Sequence, residues 1–103
     1  MMEAYDLDKL IAFSSESHTK HVFFESNKLK AQVMGIEAGQ KIPPCRMEHD
    51  VVFVVLEGRG VILVDREERT VGKSAFIFVP KEKETRSIKA ITQMSLLAVQ
   101  IRF

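Results

Sequence analysis

Apolar residues in this chain come in short bursts, fenced off by residues that turn a backbone. Val51-Val52-Phe53-Val54-Val55-Leu56 is apolar at every position, and so is Ala75 to Val79. Between such runs stand Ser26-Asn27, Gly39, Pro43-Pro44, Gly58 and Gly60, Gly72 and Pro80, the residues that favour turns and end regular structure. This texture predicts strands near His21–Glu25, Leu29–Ile36, Val51–Glu57, Val61–Asp65, Arg69–Val71, Ala75–Val79, Thr85–Ala90 and Thr92–Ile101. Many short strands at regular spacing point to an all-β sandwich or barrel. One segment breaks the pattern. Leu7, Leu10 and Ile11 fall at i, i+3, i+4, with Asp6 placed to cap, which predicts a short helix over residues 6–13 that lies on the barrel and covers apolar surface.

A chain of 103 residues, 46% of them apolar, makes one domain with one core. The expected division is a lead-in with the helix over residues 1–20 and a barrel over residues 21–103. A net charge of +1 argues against nucleic acid as a partner. The longest apolar run is far too short to span a membrane, and the first residues carry neither a basic segment nor an apolar signal core. A single cysteine excludes an internal disulfide framework. The expectation is a cytoplasmic protein. The runs over Val51–Leu56 and Ala75–Val79 do not alternate, so both faces of those strands need cover. One face fills the interior; the other calls for the amino-terminal helix or a second copy of the chain, which is the reason to expect a homodimer.

The stretch from Gly39 to Gly58 carries the most specific signal. Its spacing resembles the first motif of the cupin family, in which a glycine, two histidines, a glutamate and a closing glycine recur at fixed separations. Gly39 and Gly58 stand at the two glycine places. Cys45 and Met47 stand at the histidine places, and Val51 at the glutamate place. The second motif is weaker: Pro80 matches its proline, Ser74 and Glu82 replace glycines, and Thr85 holds the histidine place. The lead-in Asp6–Ser14 also resembles that of small single-domain cupins. The resemblance implies a double-stranded β-helix, or jelly-roll, barrel preceded by a short helix. It also implies that the histidines and carboxylate that would grip a metal have been replaced.

Valine has no lone pair, threonine is a poor ligand, and a thioether is soft and weak. No metal and no other cofactor is therefore expected. On the same resemblance Cys45, Met47, Val51, Phe53, Val55 and Thr85 face the interior, a lining that is mostly apolar with one thiol and one hydroxyl. Gln32 or Met34 joins them if the parity of its strand allows. No general acid or base stands among the six, so no catalytic residue is assigned. The reading is a metal-free module that binds or senses a small, rather apolar ligand.

Two rivals accompany it. One is a metal-dependent dioxygenase or isomerase with an atypical site at Cys45 and His49, with Glu48 and Asp50 beside them. A soft copper(I) variant would pair Cys45 and Met47 with Met34 or Met94, although methionines in a barrel more often fill core. The other rival is a packed dimeric scaffold with no ligand. His18 and His21 precede the barrel proper and receive no role.

Overall fold

The structure, a computed structural model, describes residues 2–45, 48–81 and 86–102, with Cys45 described through its backbone alone. Among these residues the chain forms nine strands: β1 (Thr19–Glu25), β2 (Leu29–Ile36), β3 (Lys41–Cys45), β4 (Asp50–Glu57), β5 (Gly60–Val64), β6 (Glu67–Val71), β7 (Phe76–Val79), β8 (Arg86–Ala90) and β9 (Met94–Ile101). They build a five-stranded sheet in the order β1-β2-β9-β4-β7 and a four-stranded sheet in the order β3-β8-β5-β6. Neighbours in both sheets are antiparallel.

Strand β3 has no counterpart among the expected strands. It contains Pro43-Pro44, which signal a break rather than a strand. The ladder accommodates them because β3 is an edge strand and its register with β8 shifts between Ile42 and Cys45. An edge or a bulge is where a residue without an N–H is tolerated in a sheet.

The expected amino-terminal helix is only a 3-10 turn, Leu7–Lys9. Asp6 makes no side-chain cap hydrogen bond and instead lies 3.4 Å from the ammonium of Lys9. A segment this short does not overcome the cost of helix nucleation. Side chains and backbone groups fix the lead-in instead. The Thr19 hydroxyl donates to the Ala12 carbonyl, the Gly35 N–H donates to Thr19 Oγ1, and Gln40 Nε2 donates to the Ser14 carbonyl at 2.7 Å. Tyr5 meets Phe23 edge to face at 5.1 Å between centroids. At Gly35 the lead-in passes so close that a Cβ there would run into the Ala12 carbonyl. The lead-in thus crosses β2 at Gly35, and Val33 of the same strand is 1% exposed.

The inner faces follow from register. Val51, Phe53 and Val55 of β4 are buried while Val52, Val54 and Leu56 are half-buried, so the continuous apolar run does alternate in burial. The opposite faces of β4 and β7 lack the cover that β2 has. Phe76 and Phe78 pair with Val54 and Val52 and remain 68% and 51% exposed. Between the sheets the core is packed from Ile36, Val55, Ile62, Ile88, Ala90, Met94 and Leu96, each at most 2% exposed.

Candidate functional site

Cross-strand rows on the inner face of the five-stranded sheet show how the interior changes along the barrel. The deepest row is Ile36 opposite Met94. Next come Met34, Leu96 and Val55, aligned across β2, β9 and β4. The third row is Gln32, Ala98 and Phe53, and the fourth is Lys30, Gln100 and Val51. Apolar groups fill the inner rows, and polar groups enter toward the other end. Packing closes the barrel at the apolar end, while a cavity of about 250 Å³ opens among the polar rows.

Six strands contribute to that cavity. β2 supplies Lys30, Gln32 and Met34, β9 supplies Ala98 and Gln100, and β4 supplies Val51 and Phe53. Lys20 from β1, Ile42 from β3, and Arg86, Ser87 and Ile88 from β8 complete the described lining. Val51, Phe53, Met34, Ala98 and Ile88 are each 5% exposed or less and form an apolar base. Lys30, Gln32, Gln100 and Arg86 are half-buried and Lys20 is exposed, so the charges lie at the rim.

Among the described residues the ionic side chains of the lining are all cations. Arg86 lies over the Phe53 ring, its guanidinium carbon 5.5 Å from the centroid, a cation–π distance. Glu25 is the cross-strand neighbour of Lys30, but its carboxylate is held by Arg102 at 2.8 Å. Lys20 is felt by His18, whose imidazole is held below its ordinary 6.5 by burial first and by the Lys20 charge second.

Of the residues expected to face the interior, Val51 and Phe53 line the cavity and Val55 lies one row deeper, in the packed core. Met47 and Thr85 lie outside the described residues, as does the side chain of Cys45. Gln32 and Met34, whose parity the sequence leaves open, both point inward. Lys20, Lys30, Arg86 and Gln100 also line the cavity and are not in the expected set.

The sequence holds a signal for two of them. Lys30, Gln32 and Met34 alternate with Ala31, Val33 and Gly35, and ordinary alternation would turn the polar set to solvent. Here the outer set is buried, with the lead-in passing over Gly35, and the polar set lines the cavity.

Of the residues proposed for an alternative metal site, His49 and Asp50 are described and the Cys45 side chain is not. His49 is half-buried in the connection between β3 and β4 and is not part of the lining. Asp50 accepts a hydrogen bond from the Lys81 backbone N–H at 2.9 Å, which ties the segment after β7 to the start of β4. Among the described residues no three histidine, cysteine, aspartate or glutamate side chains cluster as metal ligands. Met34 and Met94 are both core residues.

Comparison with solved structures decides the architecture. An RmlC-like cupin protein from Desulfovibrio desulfuricans superposes with a TM-score of 0.88 at 23% identity, over 98% of this chain and 97% of that one. The chain has the cupin fold. A conserved protein with a double-stranded β-helix domain from Klebsiella pneumoniae gives a TM-score of 0.88 at 12% identity, covering 98% of this chain and 90% of the other. Salicylate 1,2-dioxygenase from Pseudoaminobacter salicylatoxidans matches 84% of this chain over 27% of its own length, with a TM-score of 0.78 and 20% identity. No family model and no curated protein matches the sequence. Among the described residues no helix is long and apolar enough to cross a membrane.

Proposed function

We propose that this cupin-fold protein is a metal-free module that binds or senses a small molecule inside its barrel. The observation that carries the proposal is the cavity of about 250 Å³, with an apolar base and a few converging polar groups, the usual make-up of a small-ligand site. Two features favour a metal-free reading over a metal-dependent dioxygenase or isomerase. Val51, at the glutamate place of the motif, faces the cavity and offers no lone pair. Lys30 lines the same cavity, and its charge opposes a bound divalent cation.

The test is to purify the protein without chelator from medium supplemented with manganese, iron, nickel, zinc and copper, and to measure metal per chain. A substoichiometric trace of each is expected. Stoichiometric retention of any one of them would remove this reading in favour of the metal-dependent one.

A second copy of the chain is the occupant we propose for the outer face of β4 and β7. Val52, Val54, Phe76 and Phe78 present an apolar surface, and a two-fold axis brings such a surface against itself.

A further inference from the structure

We propose that two copies of the chain join edge to edge through β7, pairing antiparallel about a two-fold axis at Ile77 so that their five-stranded sheets run on as one. The inference rests on the second-copy reading and states how the copies meet.

The two sheets end in β1 and β7 and in β3 and β6. An open edge invites pairing with another chain, and proteins blunt it with charge, proline or a bulge. β1 carries Lys20 and His21 and a register shift between Val22 and Phe24. β3 carries Pro43-Pro44 and a shift of its own. β6 carries Glu67, Glu68 and Arg69, all exposed. β7 reads Phe-Ile-Phe-Val, with no charge, no proline and an unbroken register against β4. Beside it opens a groove whose lining includes Ile62, Val64, Val71 and Ile77. Of the four edges, β7 is the one left without a device against pairing.

The ladder with β4 sets the direction of the β7 backbone groups. The Val55 N–H donates to the Ala75 carbonyl at 2.9 Å, and the Ser74 N–H donates to the Val55 carbonyl at 2.8 Å. Hydrogen-bonded and non-hydrogen-bonded pairs alternate along an antiparallel ladder. The N–H and C=O of Ile77 and Val79 therefore face β4, while those of Phe76 and Phe78 face outward along the edge.

The strand matches a copy of itself. Phe76-Ile77-Phe78 reads the same in both directions, so an antiparallel copy presents the same side chains. With the axis at Ile77, Phe76 lies opposite the partner's Phe78, and each such pair exchanges both backbone hydrogen bonds. The rings of each pair adjoin on the outer face, a stabilising cross-strand contact. An axis at Phe76 sets Phe78 against Ser74, whose N–H already donates to Val55. An axis at Phe78 sets Phe76 against Pro80, which has no N–H. A two-fold pairing of this kind is closed, and it uses up the edge that would otherwise recruit further chains.

Cysteine cross-linking and amide exchange test the proposal. On the axis Ile77 meets the partner's Ile77 with Cα atoms about 4.5 Å apart, within disulfide reach. In a Cys45→Ser background, Ile77→Cys should form a disulfide-linked dimer under mild oxidation. Val54→Cys, on the outer face one strand in from the edge, should not. In the wild-type dimer the amides of Phe76 and Phe78 should exchange at least roughly tenfold more slowly than in an unstructured peptide of the same sequence. Thermal melting identifies a cysteine variant that fails to fold, and the wild-type amides then decide alone.

A dimer whose Phe76 and Phe78 amides both exchange at the peptide rate would overturn edge pairing and leave the second-copy reading standing. So would a cross-link through Val54→Cys with none through a folded Ile77→Cys. Slow amides without a cross-link in folded Ile77→Cys would overturn the axis at Ile77. A wild-type protein that is monomeric at micromolar concentration would overturn both readings.

Discussion

At the scale of single residues, Gly58 shows how a motif position is fixed by geometry. It directly follows β4, with φ at +84°, a conformation that costs an L side chain about 1–2 kcal/mol. Crowding adds to this. A Cβ at Gly58 would collide with the Gln93 carbonyl oxygen and approach the Met94 Cα to 2.7 Å, and both are backbone atoms that cannot swing aside. Gly58→Ala should therefore lower stability by about 2 kcal/mol or more. Urea denaturation checks this: the midpoint should fall with the slope unchanged. Gly58 was legible in the sequence because its requirement is local. Lys30 was not legible as a cavity residue, because its direction depends on what covers the other side of β2.

At the scale of elements, each of the eight expected strands has a counterpart, and among the described strands only β3 has none in the expectation. Leu29–Ile36 was placed at its observed bounds, and β4 begins one residue before its expected start. β3 was hidden by two prolines that only an edge position excuses. The helix expected over residues 6–13 is a 3-10 turn, because so short a segment does not recover the cost of helix nucleation. The close approach of the lead-in to β2 yields a prediction. Gly35 leaves room for the Ala12 carbonyl to cross β2, so Gly35→Ala should push the lead-in off the sheet. The expected cost is about 1–3 kcal/mol. Limited proteolysis should show faster cleavage around Ser14 to Ser17 in the variant, ahead of any cleavage in the barrel strands.

At the scale of the whole molecule, the resemblance in the Gly39–Gly58 spacing led to the right architecture, and the TM-scores support it without help from close sequence identity. The character of the cavity was out of reach, because it depends on strands far apart in the chain meeting around one space. The exposed face of β4 and β7 also belongs to this scale. If a second copy covers it, the double variant Phe76→Lys, Phe78→Lys should convert a dimer to a monomer. Sedimentation velocity should show this while the variant keeps its β-sheet circular dichroism. A wild-type protein that sediments as a monomer at micromolar concentration would rule the dimer out.

The gradient of rows along the barrel, from Ile36 and Met94 at the closed end to Lys30 and Gln100 near the opening, has a directional consequence. A guest with one apolar end and one polar end would enter in a single sense, the apolar end foremost and the polar end left near bulk water.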